Sequence, residues 1–379
     1  MMDGQWLRWV TTEGKSRAKT YLPASSGTAT EMNITAVAKR AGVSTATVSR
    51  VMNSTANVSP QTAERVREAV EALNFYPDTN ARALGSGRSG LYGLIISDIT
   101  NPYFPELVKA FEDIAVEHGQ DVLIANTDYD PKRMETCVIR MLQRKVDGVA
   151  IMTSEMEERL IQSFGQRQIP TIFMDAVTGV RSVSTVSVDY AGGVAQAMEY
   201  LFELGHRDVA FISGPLALRS ARARAEAFEA ALREHGIAIR RNWLQEGDHR
   251  VEGGHHAMMR ILESGTLPTA ILGSNDLTAI GAMGAIHEKG LAIPGDISVV
   301  GFDDIELSAY TLPALTTVHV PRRELASTAF RALFRGREGT PDKNRSRHRH
   351  VIKTKLVVRQ STGQAPAKRI PLTSRGTSL

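Results

Sequence analysis

Cysteine is nearly missing from this chain: Cys137 is the only one among 379 residues. A lone thiol excludes an intrachain disulfide and any zinc site built on several thiolates. Its ordinary role is that of a small buried apolar residue. Long apolar runs are missing too. None approaches the roughly 18 residues needed to span a bilayer, and the stretch around Trp6 to Val10 lacks the apolar segment of a secretory signal. A cytoplasmic protein with no membrane partner is the expectation. Also absent are a glycine-rich phosphate loop of the P-loop or dinucleotide type, a cluster of metal ligands and a nucleophile elbow. No cofactor, no metal and no enzymatic activity are therefore expected.

What is present is a soluble, globular balance of 42% hydrophobic and 23% charged residues, in a chain long enough for two or three domains. The charge is unevenly spread. Residues 1–90 hold 11 Lys/Arg against 7 Asp/Glu, residues 341–379 hold 10 against 1, and residues 91–340 hold 24 against 33. The ends are basic and the middle acidic, so a polyanion would be drawn to the ends and repelled by the body. For residues 361–379 a merely solvated, disordered tail is the simpler reading.

Residues 1–32 show no sustained period and read as a flexible extension. From Asn33 to Leu84 the signals are helical. Asn33 can cap a helix with Ile34, Val37 and Ala38 on one face. Ala41-Gly42-Val43 breaks it, Ser44 caps a second helix from Thr45 to about Asn53, and Ser59-Pro60 opens a third. Three short helices around Val37, Val43 and Val48 make one compact module. From Leu91 onward, apolar runs alternate with amphipathic stretches. Candidate strands are 91–98, 121–127, 148–153, 171–175 and 183–189, then 209–213, 270–274 and 298–302. Helical stretches include 105–118, 191–204, 221–235 and 277–289. Strands rich in Val and Ile without alternation belong to parallel sheets covered on both faces. Two such series predict two doubly wound α/β lobes, with a ligand crevice at the carboxyl ends of the strands. Asp98, Asp175, Asp189, Asn275 and Asp303 fall at those ends.

The strongest local signal is the run from Ile34 to Asn53. A helix-turn-helix of this kind sets the start of its second helix against base edges in the major groove of double-stranded DNA. Thr45 and Ala46 are the exposed early positions. Arg50, about one and a half turns further on, can bond guanine O6 and N7. Ser44, Thr47, Ser49, Asn53 and Asn57 are short donors suited to phosphate oxygens, which position a helix without reading sequence. On the pattern alone, an ordinary helical hairpin with capping Ser and Thr remains open.

Residues 33–360 resemble the LacI/GalR family of bacterial transcription regulators. The resemblance is carried by Val37-Ala38-Lys39-Arg40-Ala41-Gly42-Val43-Ser44, Thr47-Val48-Ser49-Arg50-Val51, Val58-Ser59-Pro60 and Leu73-Asn74-Phe75-Tyr76-Pro77. Further along the chain it rests on Asn101-Pro102-Tyr103-Phe104, Val146-Asp147-Gly148, Leu204-Gly205-His206-Arg207, Gly301-Phe302-Asp303-Asp304 and Pro313-Ala314-Leu315-Thr316-Thr317. Each is weak alone; their order and spacing are specific. The resemblance implies a DNA-binding head over 33–90, a hinge helix near 80–84, and a two-lobed effector-binding and dimerising body over 91–360, similar to the periplasmic sugar-binding proteins. It implies that Asn80-Ala81-Arg82-Ala83-Leu84 orders in the minor groove with Leu84 as an apolar wedge, which kinks a flexible base step. Without the resemblance, the same segment reads as a linker whose leucine packs on the body.

In the body, the resemblance implies an effector site of Tyr103, Phe104, Asp175, Asp189, Ser220, Arg224, His249, Asn275 and Asp303. A carboxylate such as Asp303 suits sugar hydroxyls, and an arginine suits a diol or carboxylate. His249 stands where relatives place a larger aromatic, which leaves it a polar or pH-sensitive contact. Should two of Arg219, Arg222 and Arg224 face the cleft, an anionic effector such as a sugar acid becomes attractive. Pro366 and Pro371 and the lack of apolar heptads exclude a coiled-coil tail, so a homodimer on a palindromic operator is expected. The implied function is a repressor whose operator affinity is set by a small effector, a sugar or sugar derivative. Three rivals stand beside it: a solute-binding protein, an enzyme on an α/β scaffold, and a regulator answering to a protein corepressor.

Overall fold

A computed structural model describes residues 33–52, 58–76, 87–153, 156–174, 184–337 and 349–367. The chain divides into two units, Met1–Gly85 and Ser86–Leu379. The expectation of a disordered tail from residue 361 onward is corrected for its first residues: Ser361 is fully buried, its hydroxyl donates to Val299 O at 2.6 Å, and the Ala365 amide donates to Leu204 O at 2.9 Å, so they are packed on the second lobe.

The described part of the first unit is three helices: α1 Ile34–Ala41, α2 Thr45–Met52 and α3 Pro60–Ala72. Their starts are fixed by side-chain caps. Asn33 Oδ1 accepts from the Ala36 amide at 3.1 Å, Ser44 Oγ from the Thr47 amide at 3.1 Å and Ser59 Oγ from the Thr62 amide at 3.3 Å. Each satisfies an amide that the first helical turn leaves without a partner. Gly42 ends α1 with φ +64, the left-handed conformation that costs a side chain free energy. Val37, Val48 and Val66 are fully buried at the centre, with Val43, Val51 and Leu73 packed around them.

The second unit holds two six-stranded sheets. The first lobe orders its strands β11-β5-β4-β3-β1-β2, all parallel. These are β1 Leu91–Ile96, β2 Asp121–Asn126, β3 Gly148–Met152, β4 Thr171–Met174, β5 Ser184–Val188 and β11 Arg349–Ile352. Its helices are α4 Tyr103–Glu117, α5 Pro131–Gln143, α6 Glu158–Gly165 and α11 Arg322–Arg337. The second lobe orders β12-β10-β9-β8-β6-β7, parallel except for the antiparallel pair β10–β12. Its strands are β6 Val209–Ser213, β7 Leu244–Glu246, β8 Ala270–Gly273, β9 Ser298–Asp303, β10 Thr316–His319 and β12 Lys355–Val357. The helices α7 Tyr190–Glu203, α8 Arg219–Glu234, α9 Val251–Leu262 and α10 Asp276–Glu288 cover it. Strands β3, β6, β8 and β9 are buried along their whole length, which is why their sequences run apolar without alternation.

The chain passes between the lobes at three places: after β5, between β10 and α11, and between β11 and β12. Two of these crossings are tied together. The Asp189 amide donates to Ile352 O at 2.9 Å, Thr354 Oγ1 donates to Asp189 O at 3.0 Å, and Lys353 Nζ meets Asp189 Oδ2 at 2.8 Å. At the third, Arg322 donates to Asp304 O at 2.8 Å and pairs with Glu106 of the first lobe at 2.7 Å.

Candidate DNA-reading helix and effector cleft

On α2, Thr45, Ala46 and Arg50 are exposed, Thr47 and Ser49 half-buried and Val48 buried. The helix thus turns Val48 inward and presents its early residues and Arg50 outward. No hydrogen bond or ion pair holds the Arg50 guanidinium among the described residues. Ser44 and Thr47 are partly committed to each other, with their hydroxyls 3.0 Å apart. Asn53, Asn57, Ala81 and Leu84 lie outside the described residues, as does Asp175.

The body carries a cleft of about 550 Å³, counting the part open to solvent, at the carboxyl ends of both sheets. Of the residues expected there, Tyr103, Phe104, Ser220, Arg224, His249, Asn275 and Asp303 line it together. Asp189 does not. Its carboxylate caps α7 through the Gly192 amide at 3.0 Å and pairs with Lys353, whose ammonium holds it below its ordinary range. Asp189 is the tie between two lobe crossings, and its position just after a strand end is what made it look like a contact.

Arg224 is 5% exposed and held from several sides. Its Nη1 donates to Ser274 O at 2.7 Å, its Nε donates to Ser220 O at 3.1 Å, and Asp303 Oδ1 lies 3.8 Å away. The guanidinium also sits over the rings of Tyr190 and Phe302, at 4.6 and 5.0 Å from their centroids. Arg219 and Arg222 are exposed, and Arg222 donates to the carbonyls of Leu216 and Ala217. One arginine, not two, therefore lines the cleft. Asp303 takes φ +111, a conformation that costs a non-glycine residue about 1–3 kcal/mol.

His249 is buried, with Nε2 3.1 Å from Ser274 Oγ. Burial, and secondarily Arg224, pushes its ring down to about 3. It stays neutral through the physiological range, which corrects the expectation of a pH-sensitive contact. Gly214 makes room for it: a Cβ there would fall 1.9 Å from the imidazole. Asn275 caps α10 through Thr278 and donates to His249 O at 3.0 Å, leaving one amide N–H uncommitted to these partners.

Ser97, Asn101, Tyr129, Met152, Thr153, Tyr190 and Leu218 also line the cleft, and none of them was among the expected effector contacts. Most sit directly after a strand or at a helix start, the general location at which open α/β sheets take ligands. Tyr129 stands in the turn after β2, and burial, reinforced by the Asp98 carboxylate, pushes its phenol up.

Residues 33–78 match the bacterial regulatory proteins of the lacI family, and residues 198–362 match a periplasmic binding protein-like domain. The HTH-type transcriptional repressor PurR of Erwinia tasmaniensis is 37% identical over 333 residues, spanning 87% of this chain and 96% of its own. PurR of Edwardsiella ictaluri is 36% identical with the same coverage. This chain belongs to the lacI family. The lac repressor dimer bound to operator and the anti-inducer ONPF superposes on 86% of the chain and 98% of its own length, with TM-score 0.78 and 31% identity. The CelR–cellobiose complex matches 87% of the chain with TM-score 0.66 and 27% identity. As a member of the lacI family, the protein is a DNA-binding transcriptional repressor with a helix-turn-helix head and a two-lobed α/β body, and not an enzyme. Operator DNA and a small-molecule effector are its partners.

Proposed function

We propose that this lacI-family repressor works as a cytoplasmic homodimer on a palindromic operator, and that its grip is set by an uncharged carbohydrate bound in the body cleft. The carrying observation is the buried Arg224–Asp303 pair. With His249 neutral and the other two arginines turned away, the charges of the lining cancel. A sugar acid would bring an uncompensated charge into a buried site, at a cost in desolvation. A neutral polyol loses less, and it can donate to Asp303 and accept from Arg224 and the free N–H of Asn275. Relatives with sugar ligands in the same body, such as CelR with cellobiose, support this class.

In the head, Thr45, Ala46 and Arg50 would read bases, while Ser44, Thr47, Ser49, Asn53 and Asn57 would hold phosphates. Ala81 and Leu84 would sit in the minor groove. The head would span 33–90 with its hinge near 80–84, and the body would run from 91 past the expected end at 360 to about residue 365. Leu84→Ala should then weaken specific binding more than non-specific binding, read by titrating operator and scrambled duplex at one salt concentration.

A second reading has a specific observation behind it. Tyr103, Phe104, Tyr129 and Tyr190 give the cleft four aromatic residues, which suits a planar nitrogen heterocycle as well as the flat face of a sugar. The deciding experiment is a thermal-shift panel of D-ribose, D-glucose, cellobiose, gluconate, adenine and guanine, repeated on Asp303→Ala. A ligand at 100 times its Kd stabilises the fold by about 2.7 kcal/mol. A shift with neutral sugars, lost in Asp303→Ala, is the expected result. Shifts with gluconate alone or with the bases alone would replace the carbohydrate by that class.

A further inference from the structure

Beyond the residues assigned above, one turn of the first lobe lines the cleft with Tyr129 and is tied by an ion pair to the second lobe. Between β2 and α5 the chain runs Thr127-Asp128-Tyr129-Asp130, with Asp128 at φ +53 and Tyr129 at φ +55. Two consecutive left-handed non-glycine residues persist only where the surroundings impose them. Here the Thr127 amide donates to Ile96 O at 3.0 Å, the Asp130 amide donates to Thr127 O at 3.0 Å, and Asp130 Oδ1 caps α5 through the Lys132 amide at 2.8 Å.

The turn places Tyr129 half-buried in the cleft lining. It lies within electrostatic reach of Asp98 and Arg250, and of Arg224 and Asp303 on the second lobe. Its hydroxyl makes no hydrogen bond among the described residues. Arg250, just before α9 of the second lobe, bridges to the same region. Its Nη2 lies 3.2 Å from Asp98 Oδ2 and 3.6 Å from Asp128 Oδ1. Asp98 is buried and anchored by the Thr100 amide and hydroxyl, so the bridge grips a fixed carboxylate at the end of β1 and a second one on the Tyr129 turn.

We propose that Tyr129 is an effector-contacting, specificity-determining residue of the first lobe, and that Arg250 is the positioning residue that holds its turn over the cleft by bridging Asp98 and Asp128. The phenol supplies a ring face and one hydroxyl opposite the Arg224–Asp303 pair, so an effector is read from both lobes at once. The contact rests on the carbohydrate reading above; the bridge does not.

The test therefore has two arms on the full chain. In the first, ligand-free protein is nitrated with tetranitromethane and the sites are quantified by peptide mass mapping, with exposed Tyr76 as internal standard. Arg250→Gln should raise the rate at Tyr129 several-fold and leave Tyr76 unchanged; equal Tyr129 rates in both proteins overturn the bridge. In the second, titration calorimetry uses whichever of D-ribose, D-glucose or cellobiose shifts the wild type. Tyr129→Phe should weaken binding about 3–10-fold, the value of one lost hydrogen bond, and Tyr129→Ala more. Wild-type affinity in both Tyr129 variants, with Asp303→Ala still inactive, overturns the contact while the carbohydrate reading stands. If neither the wild type nor any variant binds the three sugars, the carbohydrate reading and the contact fall together, and the nitration arm alone judges the bridge.

Discussion

Two arginines show how differently the two units prepare for their partners. Arg50 on α2 is exposed and its guanidinium is unpaired among the described residues, whereas Arg224 in the cleft is buried and held by two carbonyls, a carboxylate and two rings. Duplex DNA is a polyanion that brings its own charge, so under the proposed docking Arg50 would wait in water and reach its partner on binding. A small effector brings little, so under the proposed function the cleft would be organised beforehand with its own charge neutralised. The head is an open surface on a small core, and the cleft is a finished site.

The sharpest way to break this contrast is to truncate both arginines. Arg224→Met should remove the buried cation beside the Asp303 carboxylate, together with its bonds to Ser274 O and Ser220 O, and lower unfolding stability by about 3 kcal/mol, while Arg50→Met should change it by less than about 0.5 kcal/mol. Equal urea midpoints for the two variants would erase the distinction. For DNA the order should reverse. Arg50→Ala should cost about 1–3 kcal/mol of discrimination between operator and scrambled duplex in fluorescence anisotropy, with no comparable loss in the Arg224 variant without effector.

Two glycines sharpen the comparison at lower cost. Gly214→Ala crowds a Cβ into His249, and overpacking of a buried site typically costs about 1–3 kcal/mol. Gly42→Ala meets no atom within 4 Å, so its penalty comes from the left-handed backbone alone, on the order of 1 kcal/mol. Differential scanning calorimetry should show the first in the body transition and the second in the head.

The smallest effect is a net dependence on pH, because two buried groups of the second lobe oppose each other. Burial pushes His249 down to about 3, so the unfolded chain takes up its proton first, and stability falls as pH drops from 6.5 toward 3. Burial pushes Asp276 up to about 6, despite the donors Thr317, Ser308 and Ile305, so acidification between 6 and 3.8 favours the folded state. The two slopes partly cancel in the wild type. His249→Gln should remove one of them and gain stability relative to wild type as urea melts are moved from pH 7.5 to 5; a difference constant with pH would place His249 in water.

The helices of the head were legible because each begins with a side-chain cap and Gly42 breaks α1, all of which are local signals. The lobes were legible because parallel strands buried on both faces read as continuous apolar runs. Strands β7, β10, β11 and β12 were not, since segments as short as Leu244–Glu246 carry too few residues to show a period. In the cleft, the family pattern pointed to Arg224 and Asp303, and the structure sets them 3.8 Å apart. It also pointed to Asp189, for which sequence cannot distinguish a strand-end carboxylate facing a ligand from one facing Lys353. Tyr129 was missed because its placement depends on two left-handed residues that no composition or spacing signals.

The three passages between lobes have a consequence for how the body is made. Neither sheet is complete until its final strand, β11 or β12, leaves the ribosome, although each sheet's other strands precede it by a long stretch of chain. During synthesis, β5 and β10 therefore wait with unpaired edges, the feature that invites wrong partners in growing chains. Losing residues 349–357 would cost both lobes a strand at once. A nonsense mutation that late in the gene should accordingly behave like an early one, giving aggregated or degraded product rather than a repressor that merely fails to sense its effector.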